Sequence, residues 1–271
     1  MKQVSILGCG WLGKALAKTL LEKKYPIRGS VQTAEKSNAL KAIGISPYVI
    51  RLENFGVVGD LKSFVADTDI LITAFPPGIR RNPETDYVAR INHVLNSIPS
   101  HSNCNILHLS SIGVFGASQG NVIETDSPKP ENNVGKQLLE AEKAVMRLGR
   151  NASVVRLGGL LGDGRHPVRQ LAGKSNVAAP LAPTNLVHQS DVVSFLTAII
   201  EKNLWGEIFH CVSPLHQQRG VFYKQECVDN GLTPPDFSSE KTNRTKKVLD
   251  TKSAPLFDFV YELPECRFKD C

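Results

Sequence analysis

Hydrophobic and polar positions alternate between two patterns along the chain as far as Gly158. The mostly apolar run Val4–Leu7 predicts a buried first strand, and apolar residues then repeat at helical spacing from Trp11 to Leu20. Further strands are predicted over residues 26–31, 47–52, 69–75, 105–111 and 153–157. Further helices are predicted over residues 34–43, 60–66, 85–98 and 134–148. This alternation predicts an α/β fold of the Rossmann type, a doubly wound parallel sheet with helices on both faces.

The first predicted strand runs into a glycine-rich turn, Gly8-Cys9-Gly10-Trp11-Leu12-Gly13, which opens the first predicted helix. A G-x-G-x-x-G pattern alone is weak, but a turn between strand and helix with a second strand following is typical of dinucleotide binding. Gly8 permits the tight turn, Gly10 lets the backbone approach a pyrophosphate, and Gly13 allows helix and strand to pack closely. The helix N-terminus offers its N–H groups to the phosphates. We assign all of these residues except Cys9 to a cofactor site.

The end of the second predicted strand bears on which nicotinamide cofactor is bound. An acidic residue there would bond the ribose 2′-OH of NAD. This sequence has no acid in its segment Arg28-Gly29-Ser30-Val31-Gln32-Thr33. We therefore expect NADP, with NAD as the alternative, and assign Ser30, Gln32 and Thr33 to its binding; Arg28 would help only if it faces the cofactor. Residues that follow later strands are assigned to the same site, namely Ala74, Phe75, Pro76 and Ser110.

After Gly158 the spacing is less regular, which predicts a second, smaller part of the protein. Regular spacing returns in three segments, which predict a helix over 191–201, a strand over 207–212 and a helix over 221–230. We expect an NAD(P)-binding Rossmann domain and a small C-terminal α+β subdomain on the substrate side. Their predicted bounds are 1–165 with 185–212 for the first, and 166–184 with 213–271 for the second.

Composition narrows the class of protein further. The 271 residues carry a formal net charge of +6, which suits an anionic ligand but does not imply nucleic acid. None of the six cysteines forms a C-x-x-C pair, so we expect no metal site and no disulfide framework. The N-terminal residues run directly into the first strand, and no apolar run has membrane-spanning length, so we expect a cytoplasmic protein. The basic residues Arg244, Lys246 and Lys247 are expected in solvent.

Four further segments resemble motifs of the extended short-chain dehydrogenase/reductase family, in its NAD-dependent epimerase/dehydratase group. They are 109–116 (LSSIGVFG), 124–128 (ETDSP), 156–165 (RLGGLLGDGR) and 185–192 (NLVHQSDV). They resemble that family's S-S-x-x-V-Y-G segment, its acidic proline-bearing loop, its R-x-x-x-x-Y-G-P-G-R segment and its I-H-V-D-D stretch. The glycine turn and Lys246-Lys247-Val248 resemble those of a bacterial subgroup, the YeeZ-type proteins. The resemblance implies an NAD(P)-dependent enzyme that acts on a small molecule, and a homodimer formed through a four-helix contact.

The sequence departs from the family at the catalytic helix. The family's Y-G-x-S-K-L-x-x-E corresponds to residues 134–142, VGKQLLEAE, so Val134 and Leu138 occupy the usual Tyr and Lys positions. In the family the tyrosine is the general acid/base, and the lysine lowers its pKa and bonds the nicotinamide ribose. Valine and leucine can do neither. Ser111 occupies the family's serine position and is the remaining catalytic candidate, although a strand-end hydroxyl that bonds backbone is an equal interpretation.

Two functional hypotheses stay open at this point. Arg80, Arg81 and Arg165 lie in loops expected at the carboxyl ends of strands, where arginine suits an anionic substrate. With Ser111 they favour an NADP-dependent oxidoreductase, or a nucleoside-diphosphate-sugar epimerase/dehydratase-like enzyme, that lacks the usual Tyr/Lys pair. The missing pair favours a non-catalytic NADP(H)-binding redox sensor or regulatory protein, resembling NmrA-like proteins.

Overall fold

The computed structural model describes residues 1–99, 102–239 and 242–271, and within them the chain forms two compact units. The first unit comprises Met1–Val114, Asn132–Val155 and Leu196–Ile208. The second unit comprises Phe115–Glu131, Arg156–Phe195 and Phe209–Cys271. The assignment of a cofactor domain and a substrate subdomain to particular residues stays a prediction.

The centre of the fold is a parallel sheet, as the sequence predicted, and it has seven strands among the described residues. In chain order the strands are β1 (Val4–Leu7), β2 (Ile27–Val31), β3 (Ser46–Val49), β4 (Arg51–Glu53), β5 (Gly56–Val58), β6 (Ile70–Thr73), β7 (Asn105–Ser111), β8 (Asn121–Val122), β9 (Ala152–Leu157), β10 (Gly159–Leu161), β11 (Leu186–His188), β12 (Ile208–Cys211) and β13 (Lys247–Val248). The order across the sheet is β12-β9-β7-β6-β1-β2-β3. Neighbours from β3 to β7 pair in parallel, and the six other strands form two-stranded sheets.

Helices connect these strands, which confirms the predicted Rossmann-type α/β class. They are α1 (Trp11–Glu22), α2 (Ala34–Lys41), α3 (Leu61–Val65), α4 (Tyr87–Leu95), α5 (Asn133–Met146), α6 (Val168–Leu171), α7 (Gln189–Glu201), α8 (Arg219–Asp229) and α9 (Ser253–Phe257). Helix α1 buries one apolar face, with Leu16 and Leu20 fully inside. Each such leucine contributes about 1.5–3 kcal/mol relative to exposure. Among the described residues, no helix is both long enough and apolar enough to cross a membrane.

Side-chain caps determine the residues at which helices begin, which the hydrophobic periodicity of the sequence predicts only approximately. Asp60 accepts a hydrogen bond from the backbone N–H of Ser63 at 2.9 Å and begins α3, as predicted. Asp86 accepts from the N–H of Ala89 at 2.8 Å, so α4 begins later than the predicted residue 85. The single extended stretch predicted over residues 47–52 is wrong in detail. The chain leaves β3 and turns back on itself as the antiparallel hairpin β4–β5.

The second unit holds its C-terminal segment, residues 261–271, with buried polar side chains. The carboxylate of Asp191 accepts two backbone N–H groups of this segment at 2.9 and 3.2 Å. The rings of His166 and His188 bond its backbone carbonyls at 3.1 and 2.9 Å, and Glu226 accepts one of its N–H groups at 2.6 Å. All four side chains are less than a tenth exposed. His188 thus orders a chain segment.

Candidate cofactor site

The glycine turn joins β1 to α1, and its three glycines have different surroundings. Gly8 has a φ of +97°, and a Cβ there would lie 2.8 Å from the backbone nitrogen of Phe75. A Cβ on Gly13 would lie 2.7 Å from the carbonyl oxygen of Gly8. Apart from the two chain neighbours of Gly10, no described residue has an atom within 4 Å of its Cβ position. The packing of the protein itself therefore requires glycine at 8 and 13, whereas the open side of Gly10 leaves room for a ligand.

This open side lies at the start of α1. Gly10 is the N-cap of the 12-residue helix, and glycine has no side chain with which to cap the first N–H groups. Trp11 and Leu12 form the first turn, the former half-buried and the latter buried. A helix start of this kind binds anions through its N–H groups and its dipole. The turn therefore fits the pyrophosphate of a dinucleotide.

The end of β2 differs from the sequence-based expectation at two residues. The Arg28 guanidinium donates to the carbonyl groups of Ser63 and Phe64, at 3.2 and 3.3 Å, and so is bound to α3. It therefore gives no support to NADP. Ser30 is buried, and its hydroxyl accepts the backbone N–H of Gly8 at 2.9 Å. Gln32 and Thr33 are exposed just beyond the strand.

The segment after β6 lies beside the glycine turn. The N–H of Ala74 donates to the carbonyl of Leu7 at 2.8 Å, which extends the β1–β6 pairing by one residue. The Phe75 ring is half-buried and packs edge-on against Tyr87, with centroids 5.5 Å apart. Pro76 is exposed. These three assigned residues thus continue from the strand next to β1, and the backbone of Phe75 closes one side of Gly8.

The two serines at the end of β7 have different partners. Ser110 is buried and donates to a carboxylate oxygen of Glu142 on α5 at 2.5 Å. Ser111 is half-buried, and its hydroxyl accepts the N–H of Gly113 at 3.1 Å. Ser110 therefore joins strand to helix, although it was assigned to the cofactor. Glu142 is the last position of the family's catalytic-helix motif, and spacing alone gives no sign that its carboxylate is buried.

Helix α5 presents apolar side chains where the family has its catalytic pair. Val134 is half-buried, and Leu138 is only 3% exposed. The Cδ1 atom of Leu138 lies 3.6 Å from the Cβ position of Gly113, so this side chain packs under the turn that follows Ser111. Lys136 is exposed. Neither the tyrosine role nor the lysine role is filled by a side chain on this face of α5.

Two other candidate proton donors in the first unit are buried. Tyr87 is fully buried, and this burial raises the pKa of its hydroxyl well above the usual value. His108 on β7 is also fully buried, and burial lowers its pKa to about 4. Its Nδ1 bonds the hydroxyl of Thr73 at 2.7 Å, while its Nε2 has no hydrogen-bond partner among the described residues. Both side chains therefore lie inside the core, where a substrate does not reach them in this conformation.

His108 should make the protein sensitive to acid. Its folded-state pKa of about 4 lies below the unfolded value of 6.5, so the unfolded chain takes up the proton first as the pH falls. The contribution of neutral His108 to the stability of the fold is therefore complete above the unfolded pKa, and it is lost as the pH falls from 6.5 to about 4. Between about pH 8 and pH 5 we expect a loss of roughly 2 kcal/mol from this group. Urea unfolding of the protein and of His108→Gln at both pH values measures the difference; equal pH dependence in the two would contradict it.

The predicted substrate-side arginines lie in separate units. Arg80 and Arg81 are exposed in the loop between β6 and α4 of the first unit. Arg165 is exposed in the second unit, where it exchanges two backbone hydrogen bonds with Gly162 at 2.6 and 2.9 Å. Lys246 was expected in solvent, and this is wrong. Its ammonium group is partly buried and donates to the carbonyl of Phe115 at 2.9 Å.

Comparison with known proteins agrees with the motifs. The RmlD substrate binding domain family matches residues 89–215. Protein YeeZ of Escherichia coli strain K12 is 34% identical over 98% of this chain and 97% of its own. The dTDP-glucose 4,6-dehydratase of Bacillus anthracis strain Ames, solved with NAD, superposes with a TM-score of 0.78 at 14% identity, over 98% of this chain and 94% of its own. The UDP-glucuronic acid 4-epimerase of Bacillus cereus, also solved with NAD, gives 0.77 at 15% identity, over 98% and 97%.

The two kinds of similarity support different statements. The solved structures show that the fold is shared and nothing more, because their sequence identity to this chain is low. YeeZ shares more than the fold, because 34% of its residues are identical over nearly the whole of both chains. This confirms the resemblance drawn from the motifs. The chain therefore belongs to the extended short-chain dehydrogenase/reductase family, as a relative of YeeZ.

Proposed function

We propose that this chain binds NADP(H), with NAD(H) as the alternative, on its glycine turn. We further propose that it works as an NADP-dependent oxidoreductase, or as a nucleoside-diphosphate-sugar epimerase/dehydratase-like enzyme, with a non-standard active site. The observation that carries the proposal is the open side of Gly10 at the start of α1. The NAD complexes of the dehydratase and epimerase of the same fold support the cofactor class. When bound, the cofactor supplies hydride transfer.

The residues of the chain would have three roles around this cofactor. Backbone N–H groups at the start of α1 would hold the pyrophosphate. Gln32 and Thr33, exposed beyond β2, would lie beside the adenosine ribose. Ser111, whose hydroxyl now accepts a backbone N–H, would turn to hydrogen-bond a substrate oxygen.

NADPH should bind more tightly than NADH. The end of β2 has no acid to repel a 2′-phosphate, and the next carboxylate along the chain, that of Glu35, accepts a hydrogen bond from Thr33. Titrating both cofactors against the intrinsic fluorescence of the two tryptophans, Trp11 and Trp205, measures the two dissociation constants. Glu35→Gln should widen the preference for NADPH. Among the described residues, Glu35 carries the only negative charge in the first turn of α2, and the substitution removes it. A Kd for NADH about tenfold below that for NADPH, a difference of 1.4 kcal/mol, would overturn the assignment.

A non-catalytic NADP(H)-binding sensor is the second candidate. Val134 and the buried Leu138 favour it, because they leave no acid and no ribose-binding ammonium on the described face of α5. Tyr87 and His108 favour it too, since both are fully buried. Turnover measurements separate the two candidates.

An anionic small molecule is the proposed substrate. Arg80 and Arg81 follow β6 at the carboxyl edge of the sheet, where ligands bind in folds of this type. The fold neighbour from Bacillus cereus was also solved with UDP-glucuronic acid, which is an anionic sugar nucleotide. This supports nucleotide sugars as the first class of compounds to assay.

A further inference from the structure

Ser30 bonds the glycine turn twice, once through its side chain and once through its backbone. Its hydroxyl accepts the N–H of Gly8 at 2.9 Å, and its carbonyl accepts the N–H of Cys9 at 2.8 Å. The residue is only 3% exposed, so neither bond competes freely with water. Two successive N–H groups of the turn are therefore fixed to the end of β2, a strand that lies 22 residues further along the chain.

The turn needs such support because of its own conformation. Gly8 adopts a φ of +97°, and glycine gains no rigidity from a side chain. The N–H of Gly10 bonds back to the carbonyl of Gly8 at 2.8 Å, so the direction of the Gly8 peptide also sets that of Gly10. A rotation at Gly8 would turn the first N–H groups of α1 away from the open side. The Ser30 hydroxyl opposes that rotation.

The neighbouring polar residue of β2 has a comparable structural role. Arg28 lies two residues earlier, and alternate residues of a strand project from the same face. Its guanidinium bonds carbonyl groups at the end of α3, including that of Ala66. One face of β2 thus holds α3 through Arg28 and the glycine turn through Ser30. The Ser30 hydroxyl, which the sequence analysis assigned to the cofactor, is therefore hydrogen-bonded within the protein.

We propose that Ser30 is a positioning residue for the dinucleotide. By holding the N–H groups of Gly8 and Cys9, it orients the first N–H groups of α1, which would bind the pyrophosphate, and it does not contact the 2′-position of the ribose. The inference rests on the proposed cofactor site. It predicts that loss of the hydroxyl weakens NADPH and NADH by the same factor, whereas a ligand of the 2′-phosphate would weaken NADPH alone.

The test uses Ser30→Ala in the full chain, with Ser5→Ala as the matched control. Ser5 is a fully buried serine of the adjacent strand β1, and its hydroxyl bonds Phe64 and Thr68 rather than the turn. Hydrogen exchange of the peptide covering residues 4–14 is measured without ligand, and Kd values are measured for both cofactors. Ser30→Ala should speed exchange at residues 8–10 and raise both Kd values about tenfold with an unchanged ratio. Ser5→Ala should leave the exchange at residues 8–10 and both Kd values unchanged.

Three results would overturn the inference. Unchanged exchange at residues 8–10 in Ser30→Ala would show that the hydroxyl does not hold the turn. A loss of NADPH binding with NADH unaffected would make Ser30 a ligand instead. An equal loss of affinity for both cofactors in Ser5→Ala would show that the effect of Ser30→Ala is general destabilisation of the protein. If the natural protein binds neither cofactor, the proposed function fails, while the exchange measurement still tests whether Ser30 holds the turn.

Discussion

Assayed with NADPH against carbonyl compounds and nucleotide sugars, the natural protein should turn over far more slowly than its active relatives. A positioned general acid/base is worth about 10²–10⁴-fold in rate, and neither Val134 nor Leu138 can transfer a proton. Cofactor binding should persist, because the glycine turn is separate from these side chains. Initial rates of NADPH oxidation measure the effect.

The double change Val134→Tyr and Leu138→Lys should raise that rate. Leu138 is nearly buried, so the introduced ammonium needs the ribose hydroxyls of a bound cofactor as its partners. Circular dichroism therefore accompanies the assay to verify folding. Lys136→Ala is the matched control, since Lys136 is exposed on the same helix and should not affect the rate. Turnover of the natural protein at about 1–10³ per second would contradict the prediction and require another proton donor.

Gly10→Val should abolish cofactor binding and leave the fold intact. Apart from the two chain neighbours of Gly10, no described residue has an atom within 4 Å of the Cβ position, so the unliganded protein has room for a side chain there. The isopropyl group would occupy the space that a pyrophosphate needs. We expect Kd to rise by more than about 100-fold, which corresponds to 2.8 kcal/mol or more.

The contrast with Gly13→Val makes the Gly10 experiment specific. A Cβ at Gly13 would lie 2.7 Å from the carbonyl oxygen of Gly8, so that variant should lose stability even without ligand. Thermal unfolding of both variants gives the comparison, and fluorescence titration of the folded one gives Kd. Unchanged affinity in a folded Gly10→Val protein would show that the pyrophosphate does not bind at this turn.

The sequence predicted the fold well where a local pattern carries the information. Strands β1 and β7 begin and end at the predicted residues, because their apolar runs are bounded by clear breaks. Helix α3 begins within one residue of the predicted start at 60, since Asp60 caps it through an N–H group only three residues away. The hairpin β4–β5 was missed, because its short strands have no distinct periodicity.

The chemistry of individual side chains was less predictable, because it depends on residues far away in sequence. Arg28 could be placed on a strand, but its carbonyl partners on α3 lie more than 30 residues away. Ser30 bonds Gly8 across 22 residues, and Ser110 bonds Glu142 across 32. Tertiary packing decides such pairings, so a motif identifies the residue without its partner. Val134 and Leu138 are different, since a departure from a motif can be read directly.

The anchoring of residues 261–271 has a consequence for how the second unit folds. The ring of His166 bonds this segment across 100 residues and that of His188 across 82. Cys266 and Phe268 of the same segment pack into the apolar cluster around Phe222. Contacts so distant in sequence close large loops, which slows folding relative to local contacts. We therefore expect the core of this unit to be completed late, when the segment docks, with its apolar surface exposed until then.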